Sequence, residues 1–435
     1  MTSDPSTVSY RAILGLAVPA LGTLAAEPLY VLVDTAIVGH LGRSQLAALG
    51  AAATALSVLA TFNFLQYATT AQVARAVGAG ERETARRLGA QAVWLSLGIG
   101  IVLAAAIAAL AGPIVALVGV EGATAAYAET YLRIVSIGIP SFFLALGGQG
   151  FLRGVAELRS PLVVLVVANV VNLVLEVLFV YGFDWGIAGS AWGTAIAQTG
   201  MGVAFAWLVL RHVGRPDLAF APRLARRLLS VGKFVFVRTM ALIGAFLLAG
   251  AVAARLGDAE LGAYQISFQI FIFLALVLDA VAIAGQIIVG RELGASRPDA
   301  AYAASVRMIT LSVGLGSLFT VALLLLSGAL PRAFTSDDAV LAACASLWPI
   351  FALLQPLSGA VFALDGILIG ASDGPFIAGS MVVALVATVS ALGAAAALDW
   401  GIRGVWAALA VLVAVRLLTM AGRFRRRRWL VTGWA

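Results

Sequence analysis

The chain is short of charge. Only 11% of its 435 residues are Asp, Glu, Lys or Arg, against about 25% in a soluble domain. With 62% of the residues hydrophobic, polar surface is too scarce to cover a water-soluble core, so the bilayer must be the solvent. Cysteine is nearly missing, and the single Cys344 excludes an internal disulfide. The two histidines, His40 and His212, lie far apart, and no Cys/His cluster has metal-ligand spacing, so no metal site is expected. There is no Walker A sequence and hence no built-in ATPase. Residues 1–10 are polar and lack a basic stretch followed by a cleavage site, so no cleaved signal peptide is expected. The net charge of +7 does not point to nucleic acid, because the basic residues sit in short clusters between apolar runs.

What the chain has in abundance is long apolar runs. A spanning helix needs about 20 mostly apolar residues. Twelve such runs are expected near 13–38, 46–73, 88–110, 127–150, 161–182, 187–210, 230–254, 262–290, 302–327, 340–368, 375–398 and 402–422. The intervening loops alternate in charge. One side carries Arg75, Arg82, Arg86, Arg87, Arg153, Arg159, Arg215, Arg223, Arg226, Arg227, Arg291, Arg297 and the tail Arg423 with Arg425 to Arg428. The other carries Arg43, Arg255, Arg332 and Arg403 beside Glu121, Asp184, Asp258, Glu260, Asp337, Asp338 and Asp399. The positive-inside rule then puts both termini in the cytoplasm, in a multi-pass protein of the inner cell membrane. The tail FRRRRWL reads as a topology anchor, with contact to anionic lipid as the alternative.

The two halves repeat. Asp184-Trp185-Gly186-Ile187-x-Gly189 recurs 215 residues later as Asp399-Trp400-Gly401-Ile402-x-Gly404. Leu41-Gly42 matches Leu256-Gly257, Arg75 and Gly78 match Arg291 and Gly294, and Gly150 and Gly154 match Gly366 and Gly370. A unit of six spans enters twice from the same side, so the copies are expected to be related by an axis along the membrane normal. The expected organisation is an all-α membrane protein: N-terminus 1–11, N-lobe 12–211, linker 212–229, C-lobe 230–422 and basic tail 423–435. Two pseudo-symmetric bundles suit an alternating-access carrier.

Ionisable groups within the spans are the functional candidates. Asp34 and Glu176 each lie a few residues from the outer ends of spans 1 and 5. Asn172 is one turn from Glu176 on the same face, Asn169 three residues further back, and Thr194 reaches a similar depth in span 6. Two carboxyls close together in low dielectric cannot both ionise cheaply, so one would hold a proton near neutral pH. The cluster therefore reads as a proton-binding site; a static network that only fixes helix packing is the alternative. Arg238, Asp279 and Asp365 share the inner half of spans 7, 8 and 10 and are expected to form a structural ion pair, with a second ion site as the alternative. Glu27 sits mid-span without an evident partner, and Arg133 is expected to pair with Glu129 one turn earlier. Arg133 and Arg238 are taken as the only intramembrane cations. Pro140, Pro349 and Pro356 interrupt spans 4 and 10, and Pro19 and Gly22 offer span 1 a place to bend.

The segments PLYVLVDTAIVGHLG (28–42), ANVVNLVLEVLFVYG (168–182), LDAVAIAGQIIVGRELGA (278–295) and ALDGILIGASD (363–373) resemble the multidrug and toxic compound extrusion (MATE) family, in its DinF-like branch. The likeness runs from about Ala12 to the end. It implies twelve helices in two six-helix lobes set in a V, exporting organic, often cationic compounds against inward cation flow. It also implies that Asp34 binds the coupling proton, that Asn172 and Glu176 match a supporting Asn-x-x-x-Asp pair with Glu in place of Asp, and that Thr194 matches a sixth-span Thr. Sodium-coupled relatives use acids in spans 7 and 10; Asp365 matches the latter, but span 7 offers Arg238, which counts against sodium in the C-lobe.

The function expected is thus a monomeric antiporter for small organic substrates, coupled to protons or alternatively to sodium, with no cofactor and no nucleic-acid partner. A lipid-linked precursor flippase would line its cleft with several cations, and a membrane-embedded enzyme would need catalytic residues clustered at an interfacial loop; neither pattern is present. Single cysteines introduced at Ser3 and Thr432 should both be labelled from the cytoplasmic side only. Labelling of either from outside would refute the span count or the orientation.

Overall fold

The computed structural model describes residues 8–213 and 218–434. Ser3, and Arg215 and Pro216 of the expected linker, lie outside the described residues. Regular structure among the described residues is helical throughout. The spans are α1 (Tyr10–Gly39), α2 (Arg43–Gly78), α3 (Arg82–Ala109), α4 (Gly122–Ser136 and Ile139–Gly154), α5 (Arg159–Gly182) and α6 (Gly186–Val213). They continue with α7 (Pro222–Leu256), α8 (Asp258–Gly294), α9 (Pro298–Leu325), α10 (Asp338–Leu353 and Gln355–Gly370), α11 (Gly374–Ala397) and α12 (Gly401–Arg425). Ten are single apolar helices, and α4 and α10 are pairs bent by 51° and 49°. Each bend falls just before a proline, Pro140 or Pro356, at the start of the second segment. Proline lacks an N–H and its ring clashes with the carbonyl four residues back, so the helix turns there. Pro349 lies inside the first segment of α10 without ending it.

The repeat is visible in the backbone. Gly42 and Gly257 share left-handed φ values of 125° and 145°, and Asp184 and Asp399 share 54° and 50°. Asp-Trp therefore forms the turn between two spans and Gly-Ile opens the second; Asp is one of the few residues that enter the left-handed region, because a short polar side chain can bond locally there. Helix approach repeats too. A Cβ on Gly100 would stand 2.7 Å from Pro140 Cα, and one on Gly316 2.8 Å from Pro356 Cα. In each copy the third helix meets the bent fourth one across a bare glycine, in the close packing that small residues permit in membranes.

The helices gather into two units. One is Gly22–Gly232; the other comprises the described residues before Gly22 and after Gly232. The expected organisation has lobes of 12–211 and 230–422 with a linker at 212–229 between them. The start of α1 belongs with the second unit, where the Val8 carbonyl accepts from Arg307 Nη1 at 2.5 Å. Residues 218–232 belong with the first. There the Gln91 amide bridges Ala219 and Ala221, Trp94 Nε1 donates to the Leu218 carbonyl at 2.9 Å, and Arg227 Nε donates to Gln72 Oε1 at 2.8 Å. The expected loop charges need one correction. Arg75, Arg153 and Arg291 are not loop residues: they lie inside α2, α4 and α8, and Arg75 and Arg153 are buried. Their positions near helix C-termini favour a cation.

Substituting Gly100→Ala or Gly316→Ala should cost about 1–3 kcal/mol each, because backbone rather than a flexible side chain must yield. Gly98→Ala, which meets open space, should change stability by no more than about 0.5 kcal/mol. Thermal unfolding in detergent separates the two cases.

Candidate functional site: a carboxyl pair behind a cavity

Within the unit Gly22–Gly232 lies a cavity of about 430 Å³. That volume is in the range that encloses a drug-sized molecule. Its wall is mixed: Glu27, Tyr30, Asp34, Asn172 and Thr194 on one part, Phe142, Leu146 and Met201 on another. Asp34 is carried by α1, a continuous helix despite Pro19 and Pro28. Such prolines are tolerated in membrane helices where neighbouring groups satisfy the freed backbone. Asn169 of α5 also ties this stretch of α1 from outside, donating its Nδ2 to the Ala26 carbonyl at 2.8 Å.

Asp34 is 5% exposed and accepts a hydrogen bond on Oδ1 from Ser190 Oγ at 2.6 Å. Glu176 is wholly buried. It sits directly before a wide π turn, Leu178–Gly182, that closes α5; such turns mark functional sites in many helices. Gly193 of α6 faces it so closely that a Cβ would stand 2.9 Å from Glu176 Cγ, which explains the complete exclusion of solvent. Glu176 Oε1 accepts from Asn172 Nδ2 at 3.1 Å and from Thr194 Oγ1 at 3.4 Å. Its Oε2 meets no N–H or O–H donor among the described residues, while the Asp34 carboxyl is within hydrogen-bonding reach of the Glu176 carboxyl. Two carboxyls at that distance share a hydrogen bond only if one is protonated.

The structure thus brings together Asp34, Glu176, Asn172 and Thr194. Asn169 lines the same cavity, but its amide binds α1 backbone rather than a carboxyl. Glu176 does not line the cavity; Asp34, Asn172 and Thr194 stand in front of it. Three members went unread in the sequence. Tyr30 bonds Thr194 at 2.9 Å, Tyr131 reaches both Asp34 and Thr194, and Ser190 bonds Asp34. Tyr30 and Ser190 were available, since each is one turn from a residue already singled out. Tyr131 of α4 carried no such signal.

The C-terminal unit holds a different arrangement. Arg238 of α7 forms an ion pair with Asp365 Oδ2, and Arg416 of α12 lies 3.4 Å from the same oxygen. Asp365 and Arg416 are buried, and Asp279 stands half-buried on α8. Arg133 and Arg238 are therefore not the only intramembrane cations: Arg416 lies inside α12, with Lys233 in α7 and Arg307 in α9. Arg416 was visible as a lone cation in an apolar run. Arg133 pairs with Glu129 at 2.9 Å as a helical i, i+4 bridge, and Glu27 faces the cavity.

A model of the MatE family matches residues 19–178 and 235–392, once in each repeat. The chain belongs to the MatE family. Two relatives support that membership along nearly the whole chain. DETOXIFICATION 44, a chloroplastic protein of Arabidopsis thaliana, is 32% identical over 95% of this chain and 82% of its own length. DNA damage-inducible protein F of Escherichia coli is 31% identical over 97% of this chain and 93% of its own. The MatE fold is shared with a Vibrio cholerae MATE transporter, VcmN, solved in a bent form. The TM-score is 0.88 at 21% identity, covering 97% of this chain and 98% of that one. A MOP superfamily transporter from Pyrococcus furiosus gives a TM-score of 0.86 at 20% identity, covering 96% and 95%.

In this MatE chain one buried carboxylate answers to two guanidinium groups. Arg238→Ala should lower stability by about 3–5 kcal/mol, because truncating one partner strands a buried charge. A loss within about 0.5 kcal/mol by thermal unfolding would show that the pair carries no structural weight.

Proposed function

We propose that the chain is a proton-coupled antiporter that exports organic, often cationic compounds, and that the coupling proton is exchanged at Asp34. The observation that carries this reading is the Asp34 carboxyl on the cavity wall, within hydrogen-bonding reach of the enclosed Glu176. Glu176 has no face on the cavity, so Asp34 is the member placed to meet water, proton or substrate. Charging both acids in this low-dielectric site is costly, so a proton resides between them while the site is empty of substrate. A protonated Asp34 donates where a carboxylate only accepts. Its bonds to Ser190, Tyr131 and Glu176 therefore re-sort on proton uptake. All of these partners bear on α1, which also carries the cavity-lining Glu27 and Tyr30. Proton and substrate then compete through one helix with two arrangements rather than through direct contact.

The alternative coupling ion, sodium, would call on Asp365, but that carboxylate already faces Arg238 and Arg416. The flippase reading would call for a cavity rich in cations. The cavity instead sets Glu27 and Asp34 against Arg153. On this proposal the protein acts as a monomer in the cell's inner membrane with both termini cytoplasmic, needs no cofactor, and draws its energy from the proton gradient.

Asp34→Asn fixes a neutral, donor-capable side chain. It should fold and insert normally but lose gradient-driven export, whereas Glu176→Gln, one step removed from the cavity, should weaken export less. Dye efflux from energised vesicles at matched protein levels reads both. Wild-type export by the Asp34→Asn variant would end the proposal.

A further inference from the structure

The C-terminal tail carries arginine at 423 and 425–428. A run of this kind normally reads as a solvated topology signal. Here it is built into the fold. Trp429 is only 1% exposed, stacks on Phe424 at 5.4 Å, and donates its Nε1 to the Phe424 carbonyl at 3.2 Å. Phe424 stacks in turn on Tyr302 of α9 at 5.0 Å. The Gly433 N–H donates to the Leu293 carbonyl at the end of α8.

The arginines divide between two tasks. Arg423 makes a two-pronged bond to Asp373, Nε to Oδ2 at 2.7 Å and Nη2 to Oδ1 at 3.1 Å, and lies over the Phe376 ring. Arg427 lies 4.3 Å over the Tyr302 ring and 3.7 Å from Asp299, its backbone in the left-handed region at φ 53°. These two lock the tail. Arg425, Arg426 and Arg428 are exposed, and no acid pairs with them among the described residues.

Their place relative to the bilayer follows from α12. Leu418 is 73% exposed, as a lipid-facing side chain is. Arg425 is seven residues on, two turns along the same face and about 10 Å further along the axis. The exposed guanidinium groups thus begin about two turns beyond a lipid-facing side chain, where the head groups of a bilayer would meet the helix. A guanidinium binds a phosphate by two parallel N–H···O bonds, and a fixed turn loses less side-chain freedom on binding than a loose tail would.

We propose that Arg425, Arg426 and Arg428 form a docking site for the head groups of anionic phospholipids, presented by a tail that is locked to the C-terminal repeat. The lock ties the lipid to the ends of α8, α9 and α11. Bound lipid therefore stabilises that unit rather than merely decorating it.

The test uses the full-length protein in nanodiscs that mix phosphatidylglycerol with phosphatidylcholine. Retained lipid is read by native mass spectrometry, and melting is compared with phosphatidylcholine alone. The wild type should retain phosphatidylglycerol at least about tenfold over its bulk share, given three arginines at the surface, and melt higher in the mixed lipid. R425Q/R426Q/R428Q should lose both effects while melting as the wild type does in phosphatidylcholine. R223Q/R226Q, which removes exposed charge elsewhere, should keep both. Enrichment retained by the triple variant, or lost equally in R223Q/R226Q, would overturn the proposal. So would a melting shift reproduced in full by inorganic phosphate, which would make this a site for free anions. Should the triple variant fail to fold, single Arg426→Gln and Arg428→Gln variants must each lower the enrichment; no loss in either overturns the proposal as well.

Discussion

An acid surrounded by helices in hydrocarbon must be neutral or be paired, because no water is present to carry its charge. Most of what is distinctive in this MatE chain follows from how it meets that requirement. In the N-terminal repeat two acids, Asp34 and Glu176, meet each other beside a cavity, with hydroxyls and an amide as their remaining partners. In the C-terminal repeat one acid, Asp365, meets two guanidinium groups. A group that is neutral only while protonated is able to exchange its proton. A group held charged by fixed cations is not under the same pressure.

The repeat makes the comparison position by position. At the offset of 215, Asp34, Ser190 and Thr194 correspond to Ala249, Val405 and Leu409, all in the apolar core of the C-terminal unit. In the other direction, Arg238 and Arg416 correspond to Thr23 and Met201, and Asp365, through the Gly150–Gly366 match, to Gln149. Those three line the cavity of the N-terminal unit. One backbone plan thus carries two different polar devices at different positions of the repeat, and each copy fills the other's site with residues that need no counter-ion. Apolar packing at Ala249, Val405 and Leu409 is what the repeat reverts to where no ion chemistry is required.

Much of this could be read from the residues. Span number, the duplication and the Asp34, Glu176, Asn172, Thr194 set follow from apolar length, an offset and helical spacing. These are local signals, and a bilayer makes them strong. Which neighbours complete the cluster is a matter of helix rotation, and in spans that are apolar all round no periodicity fixes it. Tyr131 was hidden for that reason. Arg75, Arg153 and Arg291 misled because they end helices, where a basic residue looks alike whether it is solvated or buried. Residues 218–221 looked like linker, yet Gln91 and Trp94 hold their backbone. Arg416 was plain in the sequence; only its partner was not.

Everything proposed for this carrier depends on where the coupling ion acts and which ion it is. Proteoliposomes containing the wild-type protein, loaded with a cationic dye, decide this when a pH gradient is imposed without sodium, and a sodium gradient at equal pH on both sides. If the Asp34 and Glu176 pair is the coupling site and Asp365 is held by its two arginines, the pH gradient alone drives dye movement and the sodium gradient does not. Dye movement driven by sodium at constant pH, with none from the pH gradient, would contradict the account and place the coupling site elsewhere.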